Sequence, residues 1–177
     1  MRTDIVHVPD AEVDADLDHQ IRSLLTRCFT KPQDAVFSVR RYFHEPCAHR
    51  WIARADDGRL AAHAGLHERV AHAGSHVFRI GGVSEVCVHP EFRGRGLVRT
   101  LLGEAHRWLR TQRIQYAVLM GDPRVYASSG YTPVSNVSCS GLPGHAAERL
   151  HLEAAQVAPI ADTAWPDSDV FIPGPPF

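Results

Sequence analysis

Residues 86–99 read Val-Cys-Val-His-Pro-Glu-Phe-Arg-Gly-Arg-Gly-Leu-Val-Arg. They set two glycines and three arginines between an apolar run and an amphipathic one. That pattern suits the binding of a polyanion. Free N–H groups at a helix start attract negative charge. Gly94 and Gly96 let a phosphate approach the backbone, and Arg93, Arg95 and Arg99 add forked positive charge. Six arginines stand against two glutamates between residues 89 and 113. A pyrophosphate fits the length of the loop. The alternative is a tight strand-to-helix turn with solvated arginines; the strand before and the strong helix after favour a binding loop. No Gly-Lys-Ser or Gly-Lys-Thr follows, so the loop is not a Walker sequence, and it is not GxGxxG.

Other reactive residues are less organised. Cysteines 28, 47, 87 and 139 form no CxxC pair. Cys28 and Cys87 fall on apolar faces and read as core thiols in a reduced cytoplasm. Twelve histidines show no HExxH or zinc-finger spacing, and Pro46 interrupts His44, Cys47 and His49, so no metal is expected. His63, His67, His72 and His76 lie on a hairpin, several toward solvent, with no assigned role. Nineteen basic residues meet 20 acidic ones, for a net charge of -1. That balance argues against a nucleic-acid partner. The excess of Arg over the single Lys31 is attributed to codon usage. No stretch approaches the roughly 20 apolar residues of a membrane span. The opening residues, MRTDIVHVPDAEVDAD, do not read as a signal peptide.

The elements that must position the loop follow from periodicity. With 177 residues, 44% of them hydrophobic, the chain is expected to form one domain over residues 1–177. Arg2–Val8 reads as a strand. A helix capped by Asp14 or Asp16 runs to about Phe29, with Leu17, Ile21, Leu24, Leu25 and Cys28 at helical spacing. A short helix after Pro32 turns Val36, Phe37, Val39 and Phe43 inward. Strands are predicted at Trp51–Ala55, Leu60–Ala71 and Val77–Val88, joined by Gly-containing turns. Gly96–Gln112 is the strongest helix, followed by a strand at Tyr116–Met120. A short helix, Pro123–Ser129, ends at Gly130. Tyr131–Val137 and Leu150–Val157 read as further strands, with a loop at 138–149. The tail, Pro159–Phe177, lacks periodicity. The order predicts an α/β mixed sheet.

The 86–99 segment resembles the acetyl-CoA-binding motif of the GCN5-related N-acetyltransferases. That pattern, R/Q-x-x-G-x-G/A after a strand, matches Arg93 and Gly96. Val98 departs from it, because Gly or Ala is usual there. A second family motif, a Tyr four residues before a Gly-aromatic pair, matches Tyr126 with Gly130-Tyr131. The resemblance covers roughly residues 50–137. It implies the acyl-CoA N-acyltransferase fold: a mostly antiparallel, twisted sheet flanked by helices and splayed at the cofactor site. It also implies acetyl-CoA as co-substrate. The pantetheine arm would lie along Val86, Cys87 and Val88. The pyrophosphate would sit on Arg93, Gly94, Arg95, Gly96, Leu97 and Val98, with Arg99 beside it.

Acetyl transfer to an amine needs a base for the ammonium and an acid for the leaving thiolate. Tyr126 resembles the family's acid; its other reading is a core aromatic. The family's strand Glu is replaced here by Ser84, and Glu85 is adjacent. One residue along a strand reverses the face, so Glu85 points away unless a bulge re-aims it. The tail around Trp165-Pro166-Asp167-Ser168-Asp169 resembles that of the aminoglycoside 2'-N-acetyltransferases and the enhanced-intracellular-survival acetyltransferases. That likeness implies that residues 158–177 dock near the acceptor and that the carboxylate of Phe177 takes part; a purely structural tail is the alternative. Ser84, Asp122, Trp165 and Asp169 are the candidate acceptor contacts. The expected function is direct N-acetyl transfer to a small primary amine, an aminosugar or a polyamine. The rivals are a protein or peptide N-acetyltransferase, a longer-chain acyltransferase and a non-catalytic acetyl-CoA-binding module. Family habit suggests a homodimer in the cytoplasm.

Overall fold

The computed structural model describes residues 4–141 and 148–177. The chain divides into two compact units, Met1–His67 with Ser84–Ala105, and Glu68–Val83 with His106–Phe177. Two long strands and one helix pass through both.

In the first unit, β1 (Asp4–Pro9) pairs antiparallel with β2 (His49–Arg54), and β2 pairs antiparallel with β3 (Leu60–Ala73). The unit also holds the second half of β4 (His76–Val88). Helix α1 (Ala15–Cys28) starts where the Asp14 carboxylate accepts the Leu17 N–H at 2.8 Å, which satisfies an orphan donor of the first turn. Its Ile21, Leu24 and Leu25 pack with Phe37, Ile52, Leu60 and Cys87. The predicted helix after Pro32 is a 3-10 helix, Pro32–Ser38. Three residues per turn put Asp34 and Phe37 on one inner face, and both are buried. Val39 closes the turn beyond that face and is 76% exposed, so the expectation that it points inward is corrected. Helix α2 (Leu97–Thr111) begins in this unit.

In the second unit the first half of β4 pairs parallel with β5 (Tyr116–Met120), from Ile80↔Tyr116 to Gly82↔Val118. Beyond β5 lie α3 (Pro123–Tyr126), β6 (Thr132–Pro133), β7 (Val137–Ser140), β8 (Arg149–His151), β9 (Ala155–Pro159) and β10 (Val170–Ile172). β5 and β6 flank β9, both antiparallel. β10 lies antiparallel to β3 and parallel to β7, and β7 pairs with β8.

Four sequence expectations change here. Tyr131–Val137 is reduced to the two residues of β6, with Val137 opening β7. The strand at Leu150–Val157 is split into β8 and β9, with Ala154 at φ 55° between them. The aperiodic tail contains β10, because three residues are too few to show alternation. The loop expected at 138–149 is partly β7 and β8; residues 142–147 lie outside the described residues, as do Arg2 and Thr3 of the first strand.

The tail is docked within the second unit. Tyr116 Oη donates to the Ala164 carbonyl at 2.6 Å, and Trp165 Nε1 donates to Asn136 Oδ1 at 2.9 Å. Asn136 Nδ2 in turn donates to the carbonyls of Pro166 and Ser168. No helix among the described residues is long and apolar enough to cross a membrane.

Leu25 has no exposed surface. Leu25→Ala is expected to cost about 2–5 kcal/mol, read from urea unfolding. Val39→Ala should stay within about 0.5 kcal/mol of the native chain. Equal losses at the two positions would contradict the core described here.

Candidate active site

The Gly/Arg loop is built as the sequence predicts. β4 ends at Val88, and His89 Nδ1 accepts the Glu91 N–H at 3.3 Å to start the 3-10 turn Pro90–Phe92. Phe92 is buried and anchors the loop, with the guanidiniums of Arg59 and Arg95 over its ring at 5.2 and 5.4 Å. Gly94 and Gly96 hold φ of 74° and 73°, where a side chain would be strained. A Cβ at either would meet nothing within 4 Å, so the space above the loop is open. The first helical hydrogen bond of α2 is Thr100 N–H to the Gly96 carbonyl, 3.1 Å. The N–H groups of Leu97, Val98 and Arg99 therefore have no partner within the helix. The first turn of α2 holds no acidic residue, whereas that of α1 holds Asp16 and Asp18 behind the Asp14 cap. Nothing acidic in its own first turn competes with an incoming anion at α2. The Val88 carbonyl accepts from Cys28 Sγ and from Arg93 Nε, both at 3.3 Å.

Glu85 departs from strand alternation. Its φ is 45°, a left-handed backbone for a residue with a side chain. Consecutive strand residues face opposite ways, yet Ser84 Oγ donates to Glu85 Oε2 at 2.7 Å. The left-handed backbone at Glu85 thus brings its carboxyl to the Ser84 hydroxyl. Its Oε1 accepts the Phe43 N–H at 3.1 Å. A Cβ at Gly65 would lie 2.9 Å from both Glu85 Oε2 and Ser84 Oγ, so only glycine leaves the carboxyl its place. Burial raises the Glu85 pKa, opposed by the Ser84 hydrogen bond and then by the Arg50 charge.

Behind Glu85 lie groups to which the sequence reading gave no role. His63 and Arg50 have no exposed surface and His67 is buried as well; of the four hairpin histidines only His76 is exposed, where several were expected to face solvent. His63 Nδ1 lies 2.9 Å from the Glu85 carbonyl, and its Nε2 lies 3.0 Å from Arg50 Nη1. Burial, and then the Arg50 charge, push the His63 pKa down to about 3. The signal was present: Arg50 interrupts the run His-Arg-Trp-Ile, and a cation inside a buried strand needs partners.

Cys47 is buried, and its thiol is pushed up to about 12 by that burial. The half-buried Cys28 shifts the other way. Its hydrogen bond with Cys87 is the largest cause; burial opposes it and the Arg93 charge adds to it.

In the second unit Tyr126 ends α3 and is half-buried. A Cβ at Gly121 would lie 2.5 Å from its Cε2, so the Tyr ring packs closely against the backbone that follows β5. Tyr131 is buried, with its hydroxyl 2.9 Å from His106 Nε2. Asp122 is the N-cap of α3 and forms an ion pair with Arg124 at 2.6 Å. Trp165 packs edge-on against Phe78 and Tyr116 as an anchor of the tail, and Asp169 is exposed. The Phe177 ring covers Gly82, where a Cβ would lie 2.6 Å from it. No cluster of three or more metal-ligating side chains occurs among the described residues.

Comparison with known proteins bears on this arrangement. The sequence profile of the acetyltransferase (GNAT) domain matches residues 12–134. No curated protein matches the chain. Among solved structures, the GNAT-family N-acetyltransferase YhbS from Escherichia coli, in complex with CoA, has a TM-score of 0.70 at 23% identity, over 97% of this chain and 89% of its own. A GNAT-family acetyltransferase from Brucella melitensis, in complex with acetyl-CoA, has a TM-score of 0.63 at 18% identity, over 96% and 94%. Eis1 from Mycobacterium abscessus has a TM-score of 0.58 at 16% identity, over 76% of this chain and 32% of its own. These likenesses establish the mixed α/β fold.

Two measurements test the geometry. Unfolded His titrates near 6.5, while folded His63 stays neutral to about pH 3. In that window the unfolded chain binds a proton that the folded chain excludes, so stability falls as pH falls. Lowering pH from 7 to 5 should remove about 2 kcal/mol through His63, at about 1.4 kcal/mol for each pH unit below 6.5. His106, lowered to about 4, acts with the same sign. Urea midpoints at pH 7, 6 and 5, with His63→Asn as reference, read this loss; identical slopes would refute it. Second, iodoacetamide at neutral pH should alkylate Cys28 before the other three cysteines, as read by peptide mass spectrometry.

Proposed function

The chain belongs to the GNAT acetyltransferase family, and we propose that it transfers an acetyl group from acetyl-CoA directly to the primary amine of a small molecule. The proposed acceptor class is an aminosugar or a polyamine, and residues 1–177 work as one acetyltransferase domain. The observation that carries the reading is the start of α2, which follows Gly94 and Gly96 and has no acidic residue in its first turn; the left-handed Glu85 is the second element. The first supplies a seat for a pyrophosphate. The second supplies a carboxyl aimed off the strand.

The loop fits the donor. The first-turn N–H groups of α2 carry partial positive charge, no carboxylate occupies that turn, and Gly94 and Gly96 leave the approach open. Leu97, Val98 and Arg99 would hold the pyrophosphate through their N–H groups, with Arg93, Arg95 and Arg99 supplying charge. The valine at 98 keeps its N–H, so the departure from the family pattern does not remove a donor. YhbS with CoA and the Brucella enzyme with acetyl-CoA support this use of the fold. When bound, the donor supplies an activated thioester.

The residues then divide the proton work. Glu85 takes a proton from the incoming ammonium, and burial, which raises its pKa, makes its carboxylate a stronger base than an exposed one. Ser84 Oγ and the Phe43 N–H hold its carboxylate in one orientation. Tyr126, carried over from the family motif, returns a proton to the departing thiolate. Its seat against Gly121 limits its rotation.

The test is release of CoA thiol from acetyl-CoA across aminoglycosides, polyamines, aryl amines and short peptides. Glu85→Gln and Tyr126→Phe are each expected to lower kcat by roughly 10²–10⁴-fold. The base acts only when ionised, so kcat/KM should rise with pH through a midpoint above the usual carboxylate range near ~4.3. Full activity of Glu85→Gln would remove the base assignment. Turnover confined to peptides would replace the acceptor class.

A further inference from the structure

Arg50 lies fully inside the first unit, so its guanidinium depends on protein partners. Nε donates to Asp10 Oδ1 at 2.8 Å, and Nη1 donates to the Arg41 carbonyl at 3.2 Å. Nη2 meets no acceptor among the described residues. Asp10 is shared: Arg41 holds it through Nε and Nη2 at 3.0 and 2.8 Å. Arg41 also reaches Asp18, which pairs with Arg22. Three guanidiniums, those of Arg22, Arg41 and Arg50, therefore face two carboxylates, those of Asp10 and Asp18. The network carries one cation in excess.

His63 links that network to β4. A guanidinium only donates, so His63 Nε2 must accept from Arg50 Nη1. The ring proton then sits on Nδ1, which donates to the Glu85 carbonyl at 2.9 Å. An imidazolium, or the other tautomer, would set donor against donor. The carbonyl held in this way belongs to the residue with φ of 45°.

We infer that His63 and Arg50 are positioning residues for Glu85: the imidazole clamps the carbonyl of the left-handed residue, and the uncompensated guanidinium charge keeps the Glu85 carboxyl able to ionise. The inference rests on the reading of Glu85 as the base. The other groups around the carboxyl are accounted for. Ser84 Oγ and the Phe43 N–H donate to it. The Cys47 and Cys87 thiols are both pushed up and stay neutral. Asp10 opposes ionisation, but its influence on Glu85 is smaller than that of Arg50. An ionised Glu85 supplies the third anion to the three guanidiniums.

The experiment is a carbon-13 NMR titration of the glutamate carboxyls in the full chain. The Glu85 resonance is assigned by its loss in Glu85→Gln, and nitrogen-15 spectra report the His63 tautomer. The native chain should show Glu85 titrating above the usual range and His63 neutral with its proton on Nδ1. Arg50→Met should move the Glu85 midpoint upward by about one pH unit or more, and Arg50→Lys should fall between it and the native chain. His63→Leu, which removes both hydrogen bonds, should also move the midpoint upward. His63→Asn, which keeps a donor at the Nδ1 position, should stay near native. If Arg50→Met does not give a folded spectrum, Arg50→Lys and the two His63 variants decide. An unmoved midpoint in a folded Arg50→Met or His63→Leu chain removes that residue from the role, and a proton found on His63 Nε2 overturns the clamp. The base reading is judged separately, by the activity of Glu85→Gln. Lost activity with unmoved midpoints would sink the positioning roles alone, and retained activity with moved midpoints would sink the base alone.

Discussion

A guanidinium cannot shed its proton, so a buried arginine imposes its needs on everything around it. Arg50 is that constraint in the first unit. It requires Asp10 from the turn after β1, a carbonyl from the segment before β2, and His63 from β3. Each of these partners is then fixed in its own right. Arg41 is drawn onto Asp10, which brings the neighbouring Phe43 N–H to the Glu85 carboxyl. The unusual backbone of β4 is one end of a chain of obligations that begins with a charge without water.

The two helix starts show how similar local physics is put to different ends. α1 has an aspartate cap and two acidic residues in its first turn, so its partial positive charge is answered by its own sequence. α2 opens on Gly96-Leu97-Val98-Arg99 and leaves that charge unanswered by its own first turn. Stability favours the first solution, and anion binding requires the second. The buried Phe92, with two guanidiniums stacked on it, anchors the loop, and the N–H groups of Leu97, Val98 and Arg99 have no partner within the helix.

Much of this was legible in the sequence. The long strands, α1, α2 and the Gly/Arg loop all follow from periodicity over ten or more residues and from punctuation by Gly, Pro and Asp. The acyltransferase motifs were readable because they are local. The failures have two causes, contacts distant in sequence and local backbone winding that apolar periodicity does not reveal. β10 has three residues and exists because β3 and β7 flank it. Val39 was misplaced because the turn before it winds at three residues rather than 3.6. His63 looked like one of several hairpin histidines, and only its pairing with Arg50 and Glu85 separates it from the others. The direction of Glu85 could be stated only conditionally, since a single left-handed residue leaves no periodic trace.

The place of β10 has a consequence for synthesis on the ribosome. The strand at Val170–Ile172 sits between β3 and β7, so Val170, the residue paired with Ala73, emerges long after it. Until then β7 has β8 as its strand partner, and β3 presents an unpaired edge at His72 and Ala73. Non-local closure of this kind is slow, and open edges are prone to pairing with other chains. The sheet of the second unit therefore stays open until Val170–Ile172 emerge, and the nascent segment is vulnerable to aggregation up to that point.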